Sequence, residues 1–334
     1  MVAPTTTIGP ISLAKHPTGL WSRGSPGGLA QLSYVCLPEC FCEIGRRDNG
    51  RKVIPMTVTI LTWQGTGVDM WTGFPAQVAS AAQNAHPTVF YWQPVGNWPA
   101  AAYPMGPSVA AGVAEGQRLL TQVHTSGPVV LIGYSQGAIC ASHFWRDVIL
   151  NPNGACHNRV NDVIAAITWG NPCRAPGVAN GNVFAGWPTP KKLDRVVTGG
   201  IAGPDDLTPA QTPAFWYDFV NTLAGTNNRD IYTDCPVGPT PATKEAPAGA
   251  IETQIYNIVQ QATAPDVFAI VRDVLKLVGP RGFAQALAIT EAIVNGGLFA
   301  AAGSNAAHDT YDIAPAITYL QQLGASLAAS NINM

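Results

Sequence analysis

The chain has 334 residues, of which 47% are hydrophobic and only 11% are charged, and its formal net charge is −2. This length suits one large α/β domain or two modest ones, and the apolar content is ample for a sizeable core. The near-neutral charge argues against a nucleic-acid partner. The charged fraction lies well under the roughly 25% of an average soluble domain, a composition that suits work near lipid.

The first 52 residues differ from the rest of the chain in composition. Residues 1–52 are rich in Pro, Gly, Ser and Thr, so they are predicted to form an extension of unassigned role ahead of a domain at 53–334. The extension lacks the continuous apolar region of a secretory signal. Nowhere does the chain approach the roughly 18 uninterrupted apolar residues of a transmembrane helix. We therefore expect a chain that is made in a cytoplasm and has no transmembrane segment.

Seven cysteines are an odd number in a long chain, which argues against a disulfide scaffold. Cys36, Cys40 and Cys42 are close together but lack the second ligand pair of a zinc site with familiar spacing, so no metal site is predicted. A local disulfide between Cys173 and Cys235 is left open.

Beyond the extension, the apolar pattern predicts strands that alternate with helices. The predicted strands are 53–63, 88–92, 128–132, 163–169 and 195–201. The predicted helices between them are 76–84, 109–123 and 138–145. Such alternation indicates βαβ units with right-handed crossovers and a central parallel sheet covered by helices, hence an α/β sandwich.

The last third of the chain has a different character. Residues 203–249 are predicted to be loop, because Pro and Thr are frequent there. Three segments between residues 251 and 294 then carry apolar residues at helical spacing. We interpret them as a small helical subdomain, at about 245–303, beside or over the carboxyl edge of the sheet. Ordinary sheet-covering helices are the alternative.

The segment 133–137 reads G-Y-S-Q-G and lies between the predicted strand 128–132 and the predicted helix 138–145. G-x-S-x-G between a strand and a helix is typical of the nucleophile elbow. That turn holds the serine in a strained backbone geometry, and glycine neighbours avoid side-chain collisions. The pattern predicts that Ser135 is a nucleophile; the alternative is a glycine-rich turn with an ordinary serine.

A serine nucleophile needs a general base, and His is the side chain whose pKa suits this role near neutral pH. In α/β-hydrolases the chain order is Ser, then the acid, then His. Among the histidines after Ser135, His143 lies on the elbow helix and His157 leaves little chain for an intervening acid. His308, in a predicted polar loop between two helices, is therefore the predicted base.

Several carboxylates between the predicted nucleophile and base could orient the imidazole. Asp230 has polar residues before it and an apolar pair after it, which suits a carboxylate at the edge of the core, so it is the first choice. The acids that remain open are Asp205, Asp206, Asp218 and Asp234.

An oxyanion hole needs two backbone N–H donors, one normally from the residue after the nucleophile, here Gln136. The loop 65–67, of sequence G-T-G, follows the first predicted strand and is placed to supply the second donor. A phosphate-binding loop is the alternative for 65–67, but the segment lacks the Lys and the full Gly pattern.

Four further sequence features carry a family resemblance. They are W-Q-P-V-G-N-W-P-A-A-A-Y-P-M at 92–105, P-S-V at 107–109, G-Y-S-Q-G-A at 133–138 and W-G-N-P at 169–172. On these features the chain resembles, from about Thr57 to Leu323, the lysin B family of mycobacteriophages, which are cutinase-like serine esterases. Family members have an early loop similar to G-T-G at 65–67, an Asp-hydrophobic-Tyr acid motif, and a His and a Tyr spaced as His308 and Tyr311.

The resemblance implies a role for each residue of the site. It makes Ser135 the nucleophile, Asp230 the acid and His308 the base, with Thr66 and Gln136 as the oxyanion donors. It also implies a cutinase-like α/β-hydrolase fold, a three-layer sandwich with a helical linker between acid and base.

Two residues depart from the family pattern. Arg229 stands before the acid where the family usually has Gly, and Ala307 stands before the His where cutinases have Pro. Neither position performs chemistry, so we interpret both as local variation in loops.

The family hydrolyses the ester that joins mycolic acids to arabinogalactan. The resemblance thus implies a serine carboxylic-ester hydrolase without metal or other cofactor, whose partner is the mycolyl-arabinogalactan of the host envelope. The enzyme would be made in the infected host and act at the outer mycolate layer on lysis. A general cutinase or lipase is the alternative among enzymes, and a non-catalytic envelope-binding protein is the alternative of another class.

Overall fold

The computed structural model describes residues 57–101, 104–190, 197–222, 229–236, 256–257, 260 and 306–332. All of them lie in the compact unit that spans residues 47–334. The predicted extension at 1–52 and most of the predicted helical subdomain at 245–303 lie outside the described residues, so both stay predictions.

The centre of the described region is a parallel sheet of five strands. In chain order the strands of this region are β1 (Val58–Trp63), β2 (Phe90–Pro94), β3 (Val129–Tyr134), β4 (Val163–Trp169), β5 (Thr198–Gly199), β6 (Trp216–Phe219) and β7 (Cys235–Pro236). The parallel sheet has the order β2-β1-β3-β4-β6, and β5 pairs with β7 in a separate antiparallel ribbon. Strands β1, β3 and β4 read as nearly continuous apolar runs, because helices cover both faces of the sheet.

Within the described residues, six α-helices surround or follow the sheet. They are α1 (Gly73–Ala85), α2 (Met105–Arg118), α3 (Gln136–His143), α4 (Asn180–Ala185), α5 (Ala306–Asp309) and α6 (Ala314–Ile332). Helices α2 and α3 continue as short π-helical segments at Leu119–Val123 and Phe144–Leu150. Among the described residues, no helix is long and apolar enough to cross a membrane.

The core consists of two clusters, one on each face of the sheet. One cluster joins alternate strand residues such as Leu61 and Leu131 to α2 and α3, for example through Ile139. The other joins the intervening strand residues, such as Ile132, to α1 and α6, for example through Leu320. Successive residues of a strand point to opposite faces, so the two clusters define three layers. The fold is a three-layer α/β sandwich of the α/β-hydrolase type, as predicted.

Two predictions about individual strands are wrong. In the segment predicted as a strand at 195–201, the described residues 197–201 contribute only Thr198–Gly199. Their backbone bonds to the loop 174–177, to Tyr232 and to β7 rather than to the parallel sheet. The fifth parallel strand is instead Trp216–Phe219, inside the region predicted to be loop. This strand has only four residues and lies among Pro and Thr, so its aromatic run is too short for a periodicity argument.

Candidate active site

Ser135 lies at the turn between β3 and α3, at the carboxyl edge of the sheet. Its backbone has φ 55° and ψ −121°, in a region that residues with side chains rarely adopt. A Cβ at Gly133 would lie 2.6 Å from the Gly137 carbonyl oxygen, and a Cβ at Gly137 would lie 2.2 Å from that of Trp63. The two glycines of the motif are therefore required by close backbone packing, and the turn has the elbow geometry that the motif predicts.

The predicted base lies directly beside the predicted nucleophile. His308 Nε2 is 2.9 Å from Ser135 Oγ, although 173 residues separate the two in the chain. The imidazole is 5% exposed and packs against the ring of Tyr134, with centroids 5.2 Å apart. The Tyr134 hydroxyl lies 3.0 Å from the His308 carbonyl oxygen and 2.8 Å from Asp309 Oδ1, so it anchors the segment that carries the base.

Asp230 is the carboxylate that the fold brings to His308. Its Oδ2 lies 2.8 Å from His308 Nδ1 and accepts a hydrogen bond of 2.6 Å from the Tyr311 hydroxyl. Its Oδ1 accepts a hydrogen bond of 3.0 Å from the backbone N–H of Tyr232. Asp230 is fully buried, and these three donors satisfy the carboxylate that burial would otherwise leave unsolvated.

The pair is electrostatically coupled. Burial acts to raise the pKa of Asp230, but the charge and hydrogen bond of His308, with the Tyr311 and Tyr232 donors, hold it below its usual range. Burial acts to lower the pKa of His308, but the charge and hydrogen bond of Asp230 raise it above the usual 6.5. An imidazole with a raised pKa is a stronger base, and the carboxylate fixes its Nδ1 proton so that Nε2 faces the serine.

The two predicted oxyanion donors lie in segments that are adjacent to Ser135. Gln136 is the first residue of α3, where a backbone N–H has no acceptor within the helix. Its side chain is held by Ser108 and by the Ala101 carbonyl, which fixes the start of the helix. Thr66 follows Gly65, where a Cβ would lie 2.9 Å from the ring of Tyr134 and 3.5 Å from Ser135 Cβ. The G-T-G loop is therefore next to the nucleophile, and the roles of Thr66 and Gln136 as donors remain predictions.

The other acids and histidines of the sequence analysis have different neighbours. Asp205 Oδ2 lies 2.8 Å from His143 Nε2, and the His157 ring lies 2.9 Å from the Ile149 carbonyl oxygen. Asp218 is buried and accepts hydrogen bonds from Thr168 and Asn171. Asp206 and Asp234 are also buried. None of the contacts described for these four acids is with His308.

Two residues that shape the site escaped the sequence analysis. Gly170 has φ 54°, and a Cβ there would lie 2.5 Å from His308 Cε1. The Asn221 amide donates to the Ala307 carbonyl at 2.6 Å and so holds the backbone beside the base. Gly170 directly follows β4, which pairs with β3. Because parallel strands end at the same edge of a sheet, a residue that directly follows β4 is expected near Ser135, and this is the sequence signal that points to Gly170.

The cysteines left open in the sequence analysis form no disulfide with each other. Cys173 and Cys235 are both free and buried. Within the described residues, the cluster suited to holding a metal ion is His143, Cys173 and Asp205, at the opposite end of α3 from Ser135. The triad geometry itself is suited to acyl transfer, in which a serine oxygen attacks a carbonyl carbon.

Comparison with known proteins identifies relatives from two mycobacteriophages. The chain is 38% identical over 129 residues to Endolysin B of Mycobacterium phage L5 and 37% identical over 129 residues to Endolysin B of Mycobacterium phage D29. Each alignment covers 36% of this chain, which thereby spans only 48% of the length of each curated relative. No family model matches the chain.

A solved structure extends the similarity over most of the chain. The crystal structure of lysin B from Mycobacteriophage D29 matches with a TM-score of 0.56 and 27% identity, covering 80% of this chain and 100% of the other. Together with the two curated relatives, this match confirms the resemblance to lysin B and supports the α/β-hydrolase fold.

Proposed function

We propose that the protein is a serine esterase of the lysin B kind that hydrolyses the ester between mycolic acids and arabinogalactan. The observation that carries the esterase chemistry is the unbroken line of hydrogen bonds from Ser135 through His308 to Asp230. It lies at the carboxyl edge of a parallel sheet, the place where open α/β sheets bind their ligands.

The reaction follows from the positions of these groups. His308 Nε2 accepts the hydroxyl proton of Ser135 as Oγ attacks the ester carbonyl carbon. The negative charge that develops on the carbonyl oxygen is stabilised by the backbone N–H groups of Thr66 and Gln136. His308 then returns the proton to the sugar oxygen as the ester bond breaks. Water, deprotonated by the same imidazole, releases the acid from Ser135.

The substrate proposal rests on similarity and on one surface feature. The relatives are named Endolysin B and come from phages of Mycobacterium. The family that the chain resembles acts on the proposed ester. Trp71 lies in the loop between Thr66 and α1, is 56% exposed, and packs edge-on against Trp92. An exposed indole a few residues from a proposed oxyanion donor offers an apolar contact for a long acyl chain.

The proposal includes where the protein works. The chain would be made in the cytoplasm of the infected host and reach the outer mycolate layer when the cell lyses. No metal or other cofactor has a part in the proposed chemistry, because the triad supplies both the nucleophile and the base.

The test compares lipid release from two substrates by the same preparation. Purified mycolyl-arabinogalactan and a triacylglycerol emulsion are incubated with wild-type protein and with Ser135→Ala, and released acids are identified by mass spectrometry. We expect free mycolic acids from the first substrate with wild type alone. Preferential triacylglycerol turnover would instead favour a general cutinase or lipase. Wall binding without any esterase activity would favour a non-catalytic envelope protein.

A further inference from the structure

Three metal-ligating side chains converge at the end of α3 that is remote from Ser135. His143 is the last residue of α3, Cys173 follows β4, and Asp205 ends the short 3₁₀ turn Gly203–Asp205. Their donor atoms all lie within 4.8 Å of one another. His143 Nε2 is 2.8 Å from Asp205 Oδ2 and 3.8 Å from Cys173 Sγ.

These distances are close to those that a tetrahedral zinc ion requires. With ordinary Zn–S and Zn–N bond lengths, a sulfur and a nitrogen on one zinc ion lie about 3.6 Å apart, and a nitrogen and an oxygen about 3.4 Å. The Sγ–Nε2 distance already fits. The Nε2–Oδ2 distance must open by roughly half an ångström, as two bonds to the metal replace one hydrogen bond.

A buried hydroxyl beside the cluster provides an independent indication of a ligand. Tyr256 is 5% exposed, and within the described part of the chain its Oη makes no hydrogen bond of ordinary geometry, although it interacts with the Cys173 thiol. Burial and then the neighbouring Cys173 thiol and Asp205 carboxylate raise the pKa of this hydroxyl, so the three groups lie close together. A buried polar group without an ordinary hydrogen bond is costly, and a metal ion or its bound water would satisfy it.

The contacts of Asp205 leave one of its carboxylate oxygens for a metal ion. Arg146 donates to Asp205 Oδ1 and to its backbone carbonyl, which leaves Oδ2 directed at His143. Asp206, 3% exposed, is a second buried acid near Cys173, and the charge of Arg174 acts on it. The cluster thus places two acids and one thiol beside two arginines, and a divalent ion would bind in exchange for the thiol proton.

We propose that His143, Cys173 and Asp205 form a zinc site, with the Tyr256 hydroxyl or a water molecule as the fourth ligand. A thiolate, an imidazole and a carboxylate together suit Zn²⁺ better than Mg²⁺ or Ca²⁺, which prefer oxygen ligands. Binding replaces the thiol proton of Cys173, which is released to solvent. The ion would connect the end of the elbow helix to the loop after β4 and to the 203–205 turn. Its role is structural and separate from the proposed ester hydrolysis, which needs no metal.

The test uses Co²⁺ as a spectroscopic substitute for Zn²⁺ in the full-length protein. The preparation is stripped with a chelator and titrated with Co²⁺, and Zn²⁺ content is measured separately by elemental analysis. Because Cys36, Cys40 and Cys42 could also bind metal, the background for every sample is the Cys36→Ser, Cys40→Ser, Cys42→Ser triple variant. In that background we expect one equivalent of metal and a thiolate-to-cobalt charge-transfer band.

Two single substitutions and a control identify the ligands. Cys173→Ser should abolish the charge-transfer band, and His143→Asn should weaken metal binding by more than the about 10–100-fold that loss of an outer hydrogen bond costs. Cys156→Ser, at another buried free cysteine, should change neither.

Zinc should also raise the Tm of the background protein by about 5 °C at saturating concentration, but not that of His143→Asn. Absence of a stoichiometric ion in the background protein, or a charge-transfer band that survives Cys173→Ser, would overturn the proposal. If Cys173→Ser fails to fold, the His143→Asn titration and the Tm shift still decide it.

Discussion

Replacing Tyr311 with Phe should separate the stability of the site from its chemistry. Tyr311 Oη donates a 2.6 Å hydrogen bond to Asp230 Oδ2, the same oxygen that lies 2.8 Å from His308 Nδ1. Tyr311→Phe keeps the ring, which is buried in the core next to α6, and removes this donor together with the acceptor of a long, 3.5 Å hydrogen bond from the Asn221 backbone N–H. The carboxylate retains His308 and the backbone N–H of Tyr232.

The magnitude follows from the kind of bond that is lost. A hydrogen bond to a buried charged group contributes about 1.5–3 kcal/mol, so the free energy of unfolding should fall by about that amount. Without the Tyr311 hydroxyl, more of the negative charge of Asp230 acts on His308. If about half of the lost energy strengthens the imidazolium–carboxylate interaction, the pKa of His308 rises by about 0.5–1 unit.

The sign of the kinetic effect is set by the neutral imidazole that the reaction requires. Activity rises with pH as His308 loses its proton, so a higher pKa moves the acidic limb of kcat/KM to higher pH. We expect a shift of about 0.5–1 pH unit on a short p-nitrophenyl ester, with a plateau reduced less than tenfold. Tyr319→Phe removes the hydroxyl of another buried tyrosine, one that contacts Tyr217, and should leave the limb unchanged. An acidic limb that stays in place or moves to lower pH in Tyr311→Phe would refute this reasoning.

The remaining predictions concern the triad and the glycine beside it. Ser135→Ala should lower kcat by about 10⁴–10⁶ with an unchanged circular dichroism spectrum, and near-normal ester hydrolysis would contradict the nucleophile assignment. Asp230→Asn should lower kcat by about 10⁴, since the wrong imidazole tautomer then faces the serine. The Asp230 pKa is lowered and the His308 pKa is raised, so their pairing should stabilise the fold fully between about pH 4 and 6.5. That stabilisation is lost as pH falls through the folded pKa of Asp230 or rises through that of His308, so the Tm difference between wild type and Asp230→Asn should be largest within this window. Gly170→Ala should cost about 10²-fold in kcat because its Cβ would displace His308, whereas Gly186→Ala, with φ 68° and open space, serves as the control for backbone strain.

Ser135 and its flanking glycines could be predicted from the local sequence, because their role depends on a single turn, and His308 could be predicted from its order in the chain. The elbow could be predicted because only glycine fits at 133 and 137 once a strand runs directly into a helix around Ser135. His308 could be predicted because the order of groups along an α/β-hydrolase chain leaves few histidines to choose from.

Long-range packing determines the rest of the site, and local pattern does not encode it. Five acids are candidates by sequence. The turn at 230–234 brings Asp230 to His308, and this turn is held by backbone hydrogen bonds of Asp230 with Asn221 and with Asp234. The pattern makes Asp230 only the first choice among the five acids, and the resemblance to a family strengthens that choice. The contact between Gly170 and His308 likewise depends on which strand neighbours β3. The fifth strand of the sheet was missed for the same reason, because four residues stabilised by pairing with β4 have no clear periodicity of their own.

The most direct test of the central claim is covalent labelling with a p-nitrophenyl alkylphosphonate, which traps an activated serine. Labelled protein is digested, and the modified residue is located by mass spectrometry in wild type, Ser135→Ala and His308→Ala. We expect one phosphonyl group per chain on Ser135, none on the Ser135→Ala protein, and labelling of His308→Ala that is slower by at least about 10²-fold. A label on a different residue, or equal labelling rates in wild type and His308→Ala, would contradict the assignment of Ser135 as a nucleophile activated by His308.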